Sequence, residues 1–126
     1  MKIVFDTSAW IEYFEGSKKG ELVNKYLEEH EVITPSIALL ELSYKADKMG
    51  WSMKKHLDFI KHKSDISGIN EEFILMFGKT YNETKKKVKD FGLADTFVLT
   101  TAKMHNAKIL TCDKHFSGFE NSVILD

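Results

Sequence analysis

The chain has 126 residues, of which 43% are hydrophobic and 29% charged, and only one is proline. This length and composition suit one folded domain over residues 1–126 and argue against disorder, and no apolar run is long enough to span a membrane. The formal net charge of −1 at pH 7 gives no sign of a broadly basic nucleic-acid-binding protein, so any basic surface would have to be local.

The chain begins with a predicted buried strand at residues 3–5, a run of β-branched and aromatic residues with no signal peptide before it. Asp6 follows this strand. Thr7 and Ser8 are predicted to cap a helix over residues 9–14. A carboxylate at the carboxyl end of such a strand is either a helix cap or a functional acid, because ligands collect at that edge of an open α/β sheet.

The rest of the chain alternates between helical and extended patterns. After a turn at residues 16–20, apolar stripes predict helices over residues 21–29, 37–49, 53–62, 71–88 and 93–106. Short apolar runs predict strands at residues 32–33, 66–69, 108–112 and 122–125. The predicted helix caps are Ser36, Ser52 and Asn70, with Gly50 ending the helix that Ser36 begins. Strands separated by helices need crossover connections, so the sequence predicts an α/β fold with a mainly parallel sheet.

Glu41 is the only charged residue in the run of residues 37–42, and it shares a helical stripe with Ile37 and Tyr44. We expect so apolar a helix to be buried on most sides. A buried carboxylate would then need a cation, a metal ion or a raised pKa. The alternative is an ordinary exposed glutamate on the one wet side of the helix.

Two further acids stand where function and local structure both explain them. Asp95 lies in the first turn of its predicted helix, where the helix dipole favours a carboxylate, yet it shares the apolar stripe of Leu99 and Ala102. Asp113 follows the strand at residues 108–112 as Asp6 follows the first strand, although aspartates are also common in turns. If the two strands are neighbours, their carboxylates converge at the same edge of the sheet.

Four converging carboxylates would repel one another and would need positive charge nearby. No nearby pattern of lysine or arginine supplies that charge in the sequence. Oxygen ligands without cysteine or histidine partners point to a hard cation, Mg²⁺ or Mn²⁺, and such a site suits the hydrolysis of phosphodiester bonds.

The segments that carry these acids resemble, in order and approximate spacing, those of the PIN-domain family of metal-dependent ribonucleases. They are Phe-Asp-Thr-Ser-Ala-Trp at residues 5–10, Ser-Ile-Ala-Leu-Leu-Glu at 36–41, Leu-Ala-Asp-Thr-Phe-Val at 93–98 and Leu-Thr-Cys-Asp-Lys-His-Phe at 110–116. Within the family, the chain looks most like the toxin of VapBC toxin–antitoxin pairs. The resemblance covers nearly the whole chain.

This resemblance implies a three-layer α/β/α sandwich around a parallel sheet and an Mg²⁺- or Mn²⁺-dependent endoribonuclease that leaves a 3′-hydroxyl. It implies that the acidic quartet is Asp6, Glu41, Asp95 and Asp113, with Asp6 and Asp95 as the most direct metal ligands. Three hydroxyl residues would orient the acids: Thr7 or Ser8 beside Asp6, and Thr111 before Asp113. The resemblance also implies a homodimer and a VapB-like antitoxin that blocks the acidic pocket.

Two other functions stay open at this stage. One is a PIN fold that serves only as a non-catalytic binding module, although the presence of all four acids argues against it. The other is a receiver-type signalling domain, which would need a second acid beside Asp6 and a lysine at the end of the last strand. Phe5 and Thr7 flank Asp6, and the chain ends Ile-Leu-Asp at residues 124–126.

Three remaining features have modest expected roles. The lysine-rich segment at residues 85–89 is either a solvated helix face or a set of contacts to RNA phosphates. Cys112, the single cysteine, excludes an internal disulfide, fits a reducing cytoplasm and is expected to be packed and inert. His115 lies close to Asp113 in sequence, so it either approaches the active site or, as we expect, has a surface role.

Overall fold

The computed structural model of the protein describes residues 1–125; Asp126, the last residue of the predicted domain, lies outside the described residues. The described residues form five strands, six α-helices and one turn of 3₁₀-helix. In chain order these are β1 (Lys2–Phe5), α1 (Thr7–Glu15), α2 (Lys18–Glu29), β2 (Glu31–Pro35), α3 (Ser36–Met49), α4 (Met53–Lys63), β3 (Asp65–Ser67), α5 (Glu71–Lys87), α6 (Leu93–His105), β4 (Lys108–Thr111), the 3₁₀ turn (Lys114–Phe116) and β5 (Ser122–Ile124).

The strands form one parallel sheet in the order β3-β2-β1-β4-β5, which confirms the predicted parallel sheet. The first strand lies at the centre, where Val4 pairs with Ile33 of β2 and with Ile109 of β4. Strand β1 is paired with a strand on each side. Its carboxyl end is therefore open only in the direction in which the strand runs. The carboxyl ends of β1 and β4 therefore lie side by side, and the residues that follow them share one edge of the sheet.

Helices cover both faces of the sheet and make the three-layer α/β/α sandwich. Successive strand residues point to opposite faces: Ile3 and Phe5 pack into one buried cluster, and Val4 packs into the other. The first cluster includes Trp10 of α1, which is fully buried and stacks with the aromatic rings of the same layer. The second cluster is built largely on α6, whose residues 96–102 are all buried. Helix α6 is thus fixed firmly against the sheet.

Several predicted helix ends are wrong, and hydrogen bonds explain two of them. Asp6, not Thr7 or Ser8, is the N-cap of α1, because its carboxylate accepts a hydrogen bond from the backbone nitrogen of Ala9. Ser36 is the first residue of α3 and makes no capping hydrogen bond, since the cap position belongs to Pro35. The predicted caps Ser52 and Asn70, and the ending of α3 at Gly50, are confirmed.

Helix α2 begins earlier than predicted and absorbs most of the expected turn. Ser17 is its N-cap, so residues 18–20 are helical. Gly20 lies directly against α1: a Cβ atom added there would sit 2.3 Å from the carbonyl oxygen of Glu12. This glycine therefore permits a close helix contact and does not break the chain.

Helix α3 is less buried than its apolar sequence predicts. Leu40 is 65% exposed and Tyr44 is 69% exposed, whereas Ala38 and Leu42 are buried. Glu41 lies between these two sides and is half-buried. The expectation of burial on most sides is wrong because only one face of α3 packs on the molecule.

The remaining differences are small shifts of strand ends. Strand β2 continues through Pro35, and β3 covers Asp65–Ser67 where the sequence predicted residues 66–69. Within the described part of the chain, no helix combines the length and hydrophobicity needed to cross a membrane.

Candidate active site

A cavity of about 280 Å³ opens at the carboxyl edge of the sheet, beyond the ends of β1 and β4. It is bounded by three helices as well as by these strand ends. The lining residues are Asp6, Thr7, Ser8, Ile11, Glu41, Tyr44, Lys45, Ala94, Asp95, Val98 and Asp113. The structure thus brings all four sequence-predicted acids, separated by more than 100 positions in the chain, to one cavity.

Asp6 is the buried acid of the cavity, and both of its carboxylate oxygens are hydrogen-bonded. Oδ1 accepts from the hydroxyl of Ser8 at 2.6 Å and from the backbone nitrogen of Ala9 at 3.1 Å. Oδ2 accepts from the hydroxyl of Thr111. Burial nevertheless raises the pKa of Asp6 to about 6, with a smaller contribution from the negative charge of Asp113, because these hydrogen bonds only partly replace the lost hydration.

Two hydroxyl residues join the ends of β1 and β4 around Asp6. The backbone nitrogen of Cys112 donates to Ser8 Oγ at 2.8 Å, and that of Asp113 donates to Thr111 Oγ1 at 2.9 Å. Each hydroxyl therefore accepts from one backbone amide and donates to Asp6. This arrangement fixes the orientation of the Asp6 carboxylate and the path of the chain into Asp113.

Glu41 is held by the third hydroxyl residue. Thr7 Oγ1 donates to Glu41 Oε1 at 2.5 Å, which links the first turn of α1 to the middle of α3. Thr7, Ser8 and Thr111, the predicted orienting residues, thus each donate a hydrogen bond to one of the acids.

Asp95 occupies the first turn of α6 and serves the helix as well as the cavity. Its Oδ2 accepts from the backbone nitrogen of Gly92 at 3.1 Å, so the structural explanation of this acid holds alongside its place in the cavity. The same oxygen is 3.3 Å from His115 Nδ1, and His115 Nδ1 is 3.7 Å from Asp113 Oδ1. His115 is therefore an exposed residue that also lies beside two of the acids.

Lys45 also lines the cavity and was missed at the sequence level. No pattern of lysine or arginine surrounds the acids in the sequence, yet Lys45 follows Glu41 by four residues on α3 and so lies on the same helix face. It is half-buried. The four acids come from separate segments of the chain, so Lys45 could be recognised as their companion only once the fold was known.

The donor set suits a hard divalent cation. Asp95, Asp113 and His115 each offer a ligand atom, and these three atoms lie within 4.8 Å of one another. Asp6 and Glu41 add two carboxylates to the same cavity. Carboxylate oxygens are the ligands that Mg²⁺ and Mn²⁺ prefer, and a cation would offset the cost of the buried Asp6 charge.

Two other features singled out in the sequence lie outside the cavity lining. Lys85 donates from Nζ to the backbone oxygen of Phe91 at 3.2 Å and lies 5.8 Å from the centre of the Tyr81 ring, so it stabilises the end of α5. Cys112 is half-buried against the first core cluster, and burial raises the pKa of its thiol, which lowers its reactivity.

Comparison with known proteins agrees with the fold and with the geometry of the cavity. Residues 3–121 match the PIN domain family. Ribonuclease VapC1 of Methanocaldococcus jannaschii is 30% identical over 117 residues, an alignment that covers 91% of this chain and 79% of that protein.

Solved structures share the whole architecture. VapBC2 from Rickettsia felis, bound to a DNA fragment from their promoter, gives a TM-score of 0.76 at 18% identity and covers 99% of this chain and 98% of its own. VapBC-1 from nontypeable Haemophilus influenzae gives a TM-score of 0.72 at 22% identity, with 100% and 98% covered. At such identities the likeness establishes the fold.

Proposed function

Because the chain belongs to the PIN-domain family, we propose that it is a metal-dependent endoribonuclease, the toxin of a VapBC-type toxin–antitoxin pair. The observation that carries the proposal is the single cavity lined by Asp6, Glu41, Asp95 and Asp113. The similarity to a protein named as a ribonuclease supports RNA as the substrate.

The proposed cofactor is Mg²⁺ or Mn²⁺. Asp6 and Asp95 would be its most direct ligands, and Asp113 and Glu41 would complete the set directly or through water. When bound, the ion would activate a water molecule and neutralise charge on the phosphate and the leaving oxygen. Thr7, Ser8 and Thr111 hold the carboxylates in position, so the site needs little rearrangement to take up the ion.

The chain's own residues have two further tasks in this reaction. The buried Asp6 must be ionised to act as a ligand, so acidification below its pKa of about 6 opposes metal binding. The hydrogen bonds from Ser8 and Thr111 keep its two oxygens in place while the substrate enters. The hydrolysis is expected to leave a 3′-hydroxyl.

The direct test is Mg²⁺-dependent cleavage of RNA by Asp6→Asn and Asp95→Asn. Each change removes one negative ligand and keeps a similar shape, so we expect activity to fall by at least about 100-fold. Asp47→Asn, an exposed acid on α3 outside the cavity lining, is the matched control and should retain wild-type activity.

Wild-type cleavage by both cavity variants would overturn the proposal. A non-catalytic PIN-fold binding module is the alternative, and it has no reason to bind Mn²⁺ in this cavity. Failure of the wild-type protein to bind Mn²⁺ in a titration and to cut RNA would therefore favour that alternative.

We propose a VapB-like antitoxin as the protein partner, because the similar solved structures are toxin–antitoxin complexes. A cavity with four carboxylates is complementary to a basic side chain, so the antitoxin would block it with an arginine. Expression of the chain should arrest growth, and either Asp6→Asn or co-expression of the adjacent open reading frame should relieve the arrest. An arrest that persists in the Asp6→Asn strain would contradict the proposed toxin activity.

We also propose that the protein is a homodimer that works in the cytoplasm, where an RNA substrate and the free thiol of Cys112 both fit. The support for the dimer is an apolar face on the first turns of α5 and α6. It consists of Ile69, Phe73, Ile74, Phe77, Leu93 and Phe97. Ile74 is 61% exposed, and contiguous apolar surface of this kind is typical of homodimer interfaces.

A further inference from the structure

We propose that Tyr44 and Lys45 form the RNA-contacting wall of the cavity, in which the Lys45 ammonium binds a phosphate of the strand to be cut and the Tyr44 ring stacks on a neighbouring unpaired base. This inference rests on the proposed function and names the residues that receive its substrate. Both residues line the cavity one turn beyond Glu41 on α3.

Lys45 is the only lysine or arginine among the residues that line the cavity. Its ammonium makes no ion pair within 4.0 Å and no hydrogen bond within residues 1–125, although four carboxylates line the same cavity. Lys45 is half-buried, as is typical of a lysine whose apolar stem packs on the protein while its charged end stays hydrated. A cation so placed is free to meet an anion that enters from outside.

The charge balance of the cavity favours such a cation. Four ionised carboxylates with one divalent cation leave a net charge of −2, and each phosphodiester of the substrate adds another negative charge. Without a further positive group, the substrate phosphate would meet net repulsion at short range. Lys45 offsets part of this repulsion at the wall where the strand enters.

Tyr44 supplies a different contact from the adjacent position. It is 69% exposed although it borders a cavity, so its ring offers an open face beside the acids. Bases stack on such exposed aromatic rings with little regard to sequence, because every base has a π-face. A base inside a duplex is already stacked and paired, so this wall favours single-stranded segments.

The experiment is steady-state cleavage of an unstructured oligoribonucleotide at several salt concentrations. Lys45→Gln should raise KM roughly tenfold and change kcat by no more than about threefold, because a charge-assisted phosphate contact is lost from binding. The slope of log(kcat/KM) against log salt should become shallower by about 0.7, the value for one phosphate contact on a single strand. Lys45→Arg should restore both.

Lys48→Gln is the matched control for Lys45, because Lys48 is an exposed lysine on the same helix outside the cavity lining. It should behave as the wild type in KM, kcat and salt slope. For the ring, Tyr44→Ala should raise KM by about fivefold or more, whereas Tyr44→Phe keeps the stacking face and should keep KM. Thermal unfolding of each variant checks that it is folded.

Each outcome of these experiments either supports or overturns the inference. Wild-type KM and salt slope in Lys45→Gln, with cleavage that Asp6→Asn abolishes, would overturn this proposal and leave the proposed function standing. Absence of RNA cleavage by the wild-type protein would overturn both. If Tyr44→Ala kept its RNA kinetics and lost affinity for a protein partner instead, the assignment of Tyr44 to RNA would be wrong.

Discussion

Asp6 has two roles at once, because it caps α1 through Ala9 and presents its charge to the cavity. The sequence offered these roles as alternatives, since a carboxylate after a strand and before a helix satisfies both patterns. Ser8 and Thr111 were expected to orient the acids only from the family resemblance, and their particular contacts could not be read from the sequence. The bond from Thr111 to Asp6 and the bond from Cys112 to Ser8 depend on β1 and β4 being neighbours across a separation of more than 100 residues.

The buried charge of Asp6 predicts an unusual dependence of stability on pH. Burial raises the pKa of Asp6 from 3.8 to about 6, so between these values the folded state holds more protons than the unfolded state. Without metal, this group's contribution to the free energy of unfolding should therefore fall as pH rises from about 4 to about 6. Asp6→Asn cannot ionise, although its amide nitrogen cannot accept one of the hydrogen bonds that Ser8 and Thr111 donate to the carboxylate. Between pH 4 and pH 7.5 the wild type should therefore lose more stability than this variant, by roughly 2 to 3 kcal/mol.

Urea unfolding of both proteins at pH 4 and pH 7.5, in the presence of a chelator, measures this difference. The comparison is between the two changes with pH, because Asp6 is mostly protonated in the folded state at pH 4 and ionised at pH 7.5. An equal change in both proteins would show that the buried charge is compensated within the apo protein.

The same carboxylates predict stabilisation by a divalent cation. An ion that binds only the folded state should raise the free energy of unfolding by about 2.7 kcal/mol at 100 times its Kd. We expect Mn²⁺ to raise the Tm of the wild type and of Asp47→Asn, and to have little effect on Asp95→Asn. Differential scanning calorimetry with and without Mn²⁺ makes the comparison, and equal shifts in all three proteins would place the ion elsewhere.

At the scale of elements, the sheet and most helices could be predicted, and the closest helix contact could not. Short apolar runs predict the buried strands. The helical patterns that follow Ser52 and Asn70 predict that these two residues are helix caps. Gly20 was predicted to lie in a turn, because a glycine near Ser17 suggests a turn, but it lies in α2. Its real role depends on the partner helix, which no local pattern contains.

Two glycines in helices should respond in opposite directions to alanine. Gly20→Ala places a Cβ 2.3 Å from the carbonyl oxygen of Glu12, so α1 and α2 must move apart, and we expect a loss of about 1 to 3 kcal/mol. Gly78→Ala in α5 meets no atom within 4 Å and should stabilise the protein by about 0.5 to 1 kcal/mol. Urea unfolding measures both, and equal effects would refute the close contact.

At the scale of the whole molecule, the acids could be assigned to one cavity from the sequence, because Asp6 and Asp113 follow strands, Asp95 opens a helix and Glu41 is the one charge in an apolar helical run. The positions of His115 and Lys45 beside those acids could not be predicted. His115 belongs to a short turn after β4, and Lys45 lies among several solvated lysines, so neither has a pattern that separates it from the surface. Their significance comes from the position of α3 and of this turn around the sheet.

The apolar face on α5 and α6 makes a prediction about assembly. Ile74→Glu adds a charge to this face in each subunit and should convert a dimer to a monomer by light scattering after size-exclusion chromatography. Leu22→Glu is the control, because Leu22 is an exposed apolar residue on α2 that lies outside the apolar face. A wild-type protein that is already monomeric would overturn the proposed homodimer.

The hydrogen bonds that join Ser8 and Thr111 to Asp6 also determine when, during synthesis of the chain, the protein can become active. A nascent chain that has been translated only through α6 contains Asp6, Glu41 and Asp95, but it lacks Thr111 and Asp113. Such a fragment cannot assemble the cavity, however well its first helices form. The proposed toxic activity would therefore begin late in synthesis. An unfinished chain would lack this activity until β4 and Asp113 have been made.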